Sequence, residues 1–460
     1  MIAFMVAGTA SGVGKTTVAL TLMAMLRERG LRVQPFKCGP DFLDTGHHSA
    51  ICGRPSRNLD TWMLDGNANR AIFTNGVREA DAAVVEGMMG LYDGVSGGGE
   101  EGSAAQIAKL LDLPVVLVLD AAKSARSIAA VVKGFESFDP DVRFAGIVLN
   151  HVGSESHYKM LEAAIRSVTA TPLLGRIATD STIAIPERHL GLHTTEETTS
   201  AENLLSAFAQ AGQRNMDITP LLALVWQGTA TGTETISVRN RQQTCVRIGV
   251  ARDKAFSFYY EDNFDLLRQN GAEIVAFSPM TDATLPPNLD ALYLGGGYPE
   301  LYAEALSQNT SMLTEIRAFA EAGKPIYAEC GGMIYLGQSL TLLDGSTYSM
   351  ANVLSQEFEM TARLVHFGYV DVEFTADCLL GKKGTTVRGH SFHCSRVRSQ
   401  STLSTAYRLK YLLSGREEFE GFQWKNVLAS YVHLHFRGNS SLATSLIKAA
   451  RLMQTVEVEA

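Results

Sequence analysis

An apolar run, IAFMVA at residues 2–7, leads into GTASGVGKTT at residues 8–17, and an amphipathic segment follows to about Arg29. A strand, a glycine-rich loop that ends in Gly-Lys-Thr, and a helix form the context that a phosphate-binding loop requires. Thr9 stands where the usual loop has its first glycine, so the match is to a variant of that loop. The alternative, a glycine-rich turn with an incidental lysine, leaves the flanking strand and helix patterns unexplained.

The residues expected to act in this loop follow from its chemistry. Backbone N–H groups of the loop and of the helix start can surround phosphate oxygens. Lys15 would reach the outer phosphates, and the Thr16 hydroxyl would bind Mg²⁺. The nucleotide-binding residues predicted here are Gly12, Gly14, Lys15, Thr16 and Thr17.

Continuous apolar runs alternate with helical patterns after the loop. These runs lie at residues 32–36, 82–86, 114–120 and 144–150. Such alternation is typical of a doubly wound α/β domain, in which a parallel sheet is covered by helices on both faces. Ligands of these sheets bind beyond the carboxyl ends of the strands, so the loops that follow the strands should share one edge with the phosphate loop.

Acidic side chains are concentrated in two of those loops. Asp41 and Glu86 are the predicted Mg²⁺ ligands, because phosphoryl transfer needs hard oxygen ligands beside the phosphates. Asp44 and Asp93 lie further out and are the candidates for orienting a second substrate. The alternative is that these stretches are solvated turns. Glu86 fits that alternative least, because a carboxylate that ends an apolar strand is costly without a cation.

A second reactive pattern is KPIYAECGGMIYL at residues 324–336. An apolar strand leads to Cys330, two glycines follow it, and a helix begins. The helix N-terminus favours the thiolate, which is the nucleophilic form. The alternative is a buried core cysteine, although the two glycines favour a reactive site. A glycine triplet at 295–297 is either an ordinary turn or part of an oxyanion hole, with Gly296 and the Gly331 amide as predicted donors.

A nucleophilic cysteine needs a base, and eleven histidines compete for that role. His433 and His435 lie two residues apart on one face of a late strand. They could form a metal pair, but no cysteine or carboxylate follows at ligand spacing. His433 as the base for Cys330 is the better interpretation. His390 and His393 are candidates for substrate binding, and nothing local decides that.

Length and composition set the broad organisation. The 460 residues are too many for one core, so two domains are expected. A polar segment at 193–243 reads as a linker between residues 1–192 and a second doubly wound unit at 244–455. The net charge of −8 argues against a nucleic-acid-binding surface, and no apolar run is long enough for a bilayer. Six cysteines without close pairing or metal-finger spacing suit a reducing cytoplasm.

Four motifs together resemble one family, the cobyrinic acid a,c-diamide synthases. They are GTASGVGKTT at 8–17, FKCGPDFLDTG at 36–46, RNLD at 57–60 and VEGMMGLYDG at 85–94. The resemblance implies a P-loop NTPase-like first domain similar to dethiobiotin synthetase. It also implies that Asn150 contacts adenine, whereas the sequence alone would equally allow a helix cap.

The second domain resembles the class I (type 1) glutamine amidotransferases, which implies Cys330 as nucleophile and His433 as its base. Those enzymes usually carry a glutamate two residues after the histidine, and His435 stands there in this chain. The resemblance therefore implies a Cys-His dyad and leaves open what orients His433. Both halves resemble the family, with 193–243 the least constrained part.

The activity implied is ATP-, Mg²⁺- and glutamine-dependent amidation of the a and c acetates of cobyrinic acid through acyl phosphates. Related substrates remain alternatives: metal-free hydrogenobyrinic acid, a nickel tetrapyrrole, or the side chains amidated by cobyric acid synthase. FKCGPD at 36–41 favours the a,c enzyme, because cobyric acid synthases typically carry Gln-Asn-Met after this Phe-Lys strand. A nucleotide-switched regulatory protein with a degenerate amidase domain is the alternative from another class. The assembly is left open, with a homodimer as one form.

Overall fold

The computed structural model describes residues 1–177, 187–188, 191–192, 201–228, 245–398 and 403–459. Contacts between Cα atoms divide the chain into two compact units, Met1–Glu234 and Thr235–Ala460. These are called the first and second unit below. Within the described ranges, no helix is both long and apolar enough to cross a membrane.

The first unit alternates strands and helices, as its apolar pattern predicts. Its strands are β1 (Ile2–Gly8), β2 (Val33–Cys38), β3 (Arg57–Leu59), β4 (Ala82–Gly90), β5 (Val115–Asp120), β6 (Phe144–Asn150), β7 (Leu173–Arg176), β8 (Glu187–Arg188) and β9 (Gly191–Leu192). Its helices are α1 (Lys15–Glu28), α2 (Leu43–Cys52), α3 (Gly66–Gly76), α4 (Ala104–Leu110), α5 (Ser127–Phe138), α6 (Glu155–Arg166), α7 (Ala201–Asn215) and α8 (Thr219–Leu222).

Strands β1–β7 form one sheet in the order β3-β2-β4-β1-β5-β6-β7, and the pairings are parallel. Its strands are almost continuously buried because helices cover both faces. Since β1, β2, β4 and β6 run in the same direction, the loops after them meet at one edge of the sheet. The parallel doubly wound sheet predicted for this part of the chain is confirmed.

The segment 193–243, predicted as a linker, contains packed structure. Helix α7 packs on α1, and its Phe208 and Ala209 are fully buried in the same hydrophobic core as Val18 and Leu22. The boundary between the units, between Glu234 and Thr235, lies inside this predicted linker. The polar composition of this segment therefore did not indicate helix α7, which belongs to the first unit. Residues 229–244 lie outside the described residues, so the exact limits of the linker stay a prediction.

The second unit is also α/β, with a mixed central sheet. Its strands are β10 (Val246–Ala251), β11 (Ala272–Phe277), β12 (Ala291–Leu294), β13 (Ile326–Glu329), β14 (Ser339–Thr341), β15 (Thr347–Ser349), β16 (Glu357–Met360), β17 (His366–Phe374), β18 (Thr386–His393), β19 (Ser395–Val397), β20 (Ser404–Tyr411), β21 (Glu417–Trp424), β22 (Val427–Ser430) and β23 (Val432–Leu434). Its helices are α9 (Glu261–Gln269), α10 (Ala303–Gln308), α11 (Thr310–Glu321), α12 (Gly331–Leu336) and α13 (Ser441–Glu459).

The central sheet has the order β11-β10-β12-β13-β22-β21-β20-β17-β18-β23. From β11 to β22 the neighbours are parallel, and from β22 to β23 they are antiparallel. The predicted α/β class holds, but the parallel arrangement covers one part of this sheet only. Strands β20 and β21 are joined by a short hairpin connection, which pairs strands antiparallel, whereas parallel neighbours need a crossover.

Candidate functional site

The phosphate loop has the strand–loop–helix geometry that its sequence predicts. Strand β1 ends at Gly8 and α1 begins at Lys15, with Gly14 as its N-cap at φ 90°. This left-handed conformation favours glycine, and a Cβ on Gly14 would also overlap the side-chain amide of Asn150. The Lys15 Nζ donates a hydrogen bond to the Ala10 carbonyl at 2.9 Å, so the lysine folds back over the loop.

Glu86 is the centre of a buried polar cluster beside this loop. Its Oε1 accepts hydrogen bonds from Thr16 Oγ1 at 2.7 Å and from Lys37 Nζ at 2.9 Å. Its Oε2 lies 2.7 Å from His48 Nε2, and the Glu86 side chain is fully buried. The sequence correctly indicated that this carboxylate needs a cation, but Lys37 is the cation in contact with it.

The charges in this cluster shift each other's titration. Burial alone would raise the pKa of Glu86, but the Lys37 charge and the hydrogen bond with His48 outweigh it and hold the pKa well below its usual value. Asp44 lies 2.6 Å from Lys37 Nζ. Burial and the neighbouring Glu86 charge raise the pKa of Asp44 to about 8. Burial, and then the charge of Lys37, lower the pKa of Lys15.

The other predicted acidic residues lie around the same cluster. Asp41 Oδ1 accepts a hydrogen bond from the Asp44 N–H, in the first turn of α2, at 2.8 Å. Asp41 also acts electrostatically on Lys37. Asp93 Oδ2 accepts the Gly90 N–H at 2.8 Å, and its charge reaches Lys15. The structure therefore gathers Lys15, Glu86, Asp44 and Asp93 in one polar site.

The oxygens beside the loop fit a magnesium ion. In nucleotide sites Mg²⁺ is usually held by one or two protein oxygens together with phosphates and waters. Thr16 Oγ1, at the start of α1, and Glu86 Oε1, on β4, lie 2.7 Å apart and offer such a pair. Within the ranges that the structure describes, no group of three or more His, Cys, Asp or Glu side chains is placed to hold a metal ion alone.

Asn150 lies against the phosphate loop. Its Nδ2 donates to the Val13 carbonyl at 3.0 Å, and the side chain is buried. Helix α6 is capped by Ser154, whose side chain accepts the His157 N–H, so Asn150 does not cap that helix. Asn150 thus supports the loop from strand β6, and its predicted contact with adenine stays a prediction.

Cys330 lies on a strained turn between β13 and α12. Its φ is 45° and its ψ is −104°, a conformation that residues with a Cβ rarely adopt. The turn is fixed from both sides, because the Cys330 N–H donates to the Ser430 carbonyl at 2.7 Å and its carbonyl accepts the Ile334 N–H. Cys330 is 6% exposed, at the carboxyl end of its strand. The predicted strand–turn–helix placement is therefore observed.

His433, on strand β23, interacts electrostatically with Cys330, and the Cys330 Sγ lies 3.8 Å from the Phe392 carbonyl oxygen. Burial lowers the pKa of His433, but its interactions with Cys330 and then with Glu329 outweigh that effect and raise it to about 9. Gly296 borders the histidine ring, since a Cβ on Gly296 would lie 2.5 Å from His433 Cε1. The cysteine, the histidine and the glycine triplet are thus brought together from three separate segments. A thiolate–imidazolium pair there has the chemistry to attack a carboxamide.

The remaining histidines near this site have other contacts. His390 is the register partner of His433 on β18, and burial lowers the pKa of His390 to about 3. His393 stacks on Tyr431 with ring centroids 3.6 Å apart, and burial lowers its pKa to about 3. The His435 ring lies against that of Tyr260 at a tilt of 35°, and its Nδ1 accepts the Arg437 N–H at 3.3 Å. His390 and His393 therefore lie near His433 as neutral rings, and a substrate role for them stays a prediction.

Sequence reasoning missed three side chains of these sites: Lys37, His48 and Glu329. Lys37 and Glu86 are register partners on β2 and β4, so a lysine in an apolar strand was the available signal. Glu329 is buried at the end of β13, with an oxygen 3.5 Å from His433 Nδ1. A carboxylate in an apolar strand, one residue before the candidate nucleophile, could have indicated it.

Known families and proteins match both units. Residues 4–192 match the CobQ/CobB/MinD/ParA nucleotide binding domain, and residues 247–441 match the CobB/CobQ-like glutamine amidotransferase domain. The cobyrinate a,c-diamide synthase of Salmonella typhimurium is 43% identical over 98% of this chain and 98% of its own. That of Listeria monocytogenes is 41% identical over 97% and 98%. A solved structure titled crystal structure of glutamine amidotransferase has 19% identity and a TM-score of 0.33 over 44% of this chain and 98% of that chain, too little to support a further conclusion.

The fold and the two sites define an amidating ligase of the glutamine amidotransferase class, with a nucleotide-binding unit and a thiol site in one chain. Within that class, the chain belongs to the CobB/CobQ-type family of cobyrinate a,c-diamide synthases.

Proposed function

We propose that this protein converts the a and c acetate carboxylates of cobyrinic acid into amides, with ATP as activator and glutamine as nitrogen donor. The observation that carries the proposal is the presence of two complementary sites in one chain. One is a phosphate loop with Lys15 and the Thr16–Glu86 pair, and the other is Cys330 with His433 beside it. Relatives of matching length bear the name of this activity.

The first half-reaction takes place at the phosphate loop. A carboxylate oxygen of the tetrapyrrole attacks the γ-phosphorus of ATP, which gives an acyl phosphate and ADP. Lys15 and the N–H groups of the loop and of the α1 start hold the phosphate oxygens, and Gly12, Gly14, Thr16 and Thr17 shape that site. Mg²⁺, held by Thr16 and Glu86 with Asp41 near, would neutralise charge on the phosphates. Asp44 and Asp93 orient the second substrate, and Asn150 supports the nucleotide end.

The second half-reaction takes place at Cys330. The thiolate attacks the carboxamide carbon of glutamine, and His433 gives its proton to the departing ammonia. Gly296 and Gly331 donate backbone N–H groups to the oxyanion. Water then cleaves the glutamyl thioester to glutamate. The released ammonia displaces phosphate from the acyl phosphate, which forms the amide.

The experiment is an amidation assay on the purified protein. It contains ATP, Mg²⁺, glutamine and, in separate arms, cobyrinic acid, its a,c-diamide, hydrogenobyrinic acid or a nickel tetrapyrrole. Mass spectrometry should show the gain of one and then two amides on cobyrinic acid. Gain of four amides on a diamide would indicate the cobyric acid synthase activity instead. No amide on any tetrapyrrole, with either glutamine or ammonia, would reject the proposal and favour a regulatory protein.

A further inference from the structure

The second unit lacks the carboxylate that such sites usually place two residues after the histidine. His435 occupies that position, where its ring contacts that of Tyr260 and its Nδ1 accepts the Arg437 N–H. The imidazole of His433 must nevertheless be held with one nitrogen towards Cys330. A carboxylate on its other nitrogen would fix the ring and stabilise its protonated form.

Glu329 lies in the place where such a carboxylate is needed. Its Oε2 is 3.5 Å from His433 Nδ1, and both side chains are almost fully buried. Glu329 directly precedes Cys330, so one strand end carries both groups. Catalytic hydrogen bonds are often long before substrate binds, so this distance is compatible with a working contact.

The Glu329 carboxylate is itself held firmly. Tyr327 Oη donates to its Oε1 at 2.7 Å, and Tyr293 Oη donates to its Oε2 at 3.0 Å. The two tyrosines are register partners on β12 and β13, and they lie on the face towards Glu329. The Leu434 N–H, one residue after the histidine, donates to Oε1 at 3.0 Å. This last bond ties strand β23 to β13, and with it His433 to the nucleophile's strand.

We propose that Glu329 is the positioning residue of the thiol site, which orients His433 and stabilises its imidazolium form in place of the usual downstream glutamate. The inference rests on the proposed glutaminase role of Cys330. The three donors just described are neutral, so none of them compensates the negative charge of Glu329. Protonated His433 would compensate that charge. Glu86, by contrast, faces the fixed cation Lys37.

The groups that face His433 come from several strands. They are Glu329 and Cys330 from β13 and its turn, and His390 and His393 from β18. Both β18 histidines are neutral at physiological pH, since burial lowers the pKa of each to about 3. Glu329 is therefore the carboxylate in this set, and after Cys330 it is the group that raises the pKa of His433.

The test compares the wild type with Glu329→Gln, which keeps the shape and removes the charge. The His433 ring is followed by NMR of protein with ¹³C-labelled histidine, assigned by comparison with His433→Gln. We expect the His433 midpoint to fall by about 1–3 pH units, the shift typical of losing a charge at this distance. The alkaline limb of glutaminase kcat/KM should move down with it, and kcat should fall about 100-fold with the KM for glutamine within threefold.

Glu420→Gln is the matched control. Glu420 is a second buried carboxylate of this unit; it accepts hydrogen bonds from Ser430 Oγ and the Tyr431 N–H, and burial raises its pKa to about 7. Its replacement should leave the His433 midpoint unchanged. Glu329→Asp, which restores the charge, should recover part of the loss. An unchanged His433 midpoint and pH profile in Glu329→Gln would overturn the proposal.

The two proposals fail in different ways. The His433 titration needs neither ATP nor a tetrapyrrole, so it reports on Glu329 even if the substrate is another molecule. Absence of amidation by the wild type would reject the proposed function. Loss of ammonia-dependent amidation in a folded Glu329→Gln variant would contradict a role confined to the thiol site.

Discussion

Glu86 in the first unit and Glu329 in the second are both buried carboxylates beside a reactive group, but their partners differ. Glu86 contacts the permanent cation Lys37, with His48 and Thr16. Glu329 contacts two tyrosine hydroxyls, one backbone N–H and His433. The first charge is compensated in every state of the enzyme. The second is compensated only while the histidine carries a proton.

This difference matches the chemistry proposed for each unit. Phosphoryl transfer is largely a matter of positioning and fixed electrostatics, so charges that are already balanced hold the site ready for ATP. Carboxamide cleavage moves a proton to and from a histidine, so a carboxylate that responds to that proton is more useful. The following experiments disturb one unit at a time.

The largest effect is expected from removal of the thiol. Cys330→Ser should lower glutamine-dependent amidation by at least about 1000-fold, because the weaker hydroxyl nucleophile replaces the thiolate. Ammonia-dependent amidation should stay within about twofold of the wild type, since the nucleotide unit is intact. Cys394→Ser, at another buried cysteine of this unit, should preserve both activities. Equal activity of Cys330→Ser and wild type with glutamine would instead favour a regulatory role for this unit.

The complementary change is Lys15→Met in the phosphate loop. We expect amidation with either nitrogen source to fall by about 100-fold or more, because the lysine stabilises charge on the transferred phosphate. Lys133→Ala, at an exposed lysine of α5, is the control for charge alone. Rates with glutamine and with ammonium salts separate the outcomes. A Lys15→Met enzyme that still used ammonia normally would place phosphoryl transfer elsewhere.

His433 and Glu86 should lose their contributions to the stability of the fold at opposite ends of the pH range. The folded-state pKa of His433, about 9, lies above its ordinary value of 6.5, so its contribution is fully present below pH 6.5 and is lost as pH rises through 9. The pKa of Glu86 is depressed, so its contribution is present above its ordinary value of 4.5 and is lost on acidification.

Calorimetry should reveal this contrast through the variants His433→Gln and Glu86→Gln. The difference in Tm between wild type and His433→Gln should narrow from pH 7 to pH 10. The corresponding difference in the free energy of unfolding should fall by an amount on the order of 2–3 kcal/mol. The difference for Glu86→Gln should narrow towards pH 3. Differences that stay constant with pH would mean that neither charge is linked to folding in this way.

A smaller effect is expected at Gly296. A Cβ there would lie 2.5 Å from His433 Cε1, so Gly296→Ala should displace the ring and lower glutaminase kcat about 10-fold, as small misplacements do. The control is Gly134→Ala on α5, where a Cβ meets nothing within 4 Å. Ammonia-dependent amidation is the internal reference. A fully active Gly296→Ala enzyme would show that His433 tolerates more movement than its contacts suggest.

The sequence predicted the features that depend on local pattern. The loop at 8–17 and the cysteine turn at 330 each carry a strand, glycines and a helix start in order, so their geometry could be read directly. Lys37 and Glu329 could not be assigned in the same way. Their roles depend on which strands are neighbours, and the pairings of β2 with β4 and of β13 with its partners join residues far apart in the chain. Helix α7 was hidden by polar flanks, although Leu204, Leu205 and Phe208 have helical spacing.

The backbone of Cys330 has a consequence for the protein's tolerance of change. A residue with a Cβ at φ 45° and ψ −104° costs about 1–3 kcal/mol of folding free energy, and glycine relieves much of that cost. Cys330→Gly should therefore melt at a higher temperature than the wild type, although it would have no glutaminase activity. If variants were selected for thermal stability alone while ammonia was supplied, replacement of Cys330 would be expected among the first substitutions.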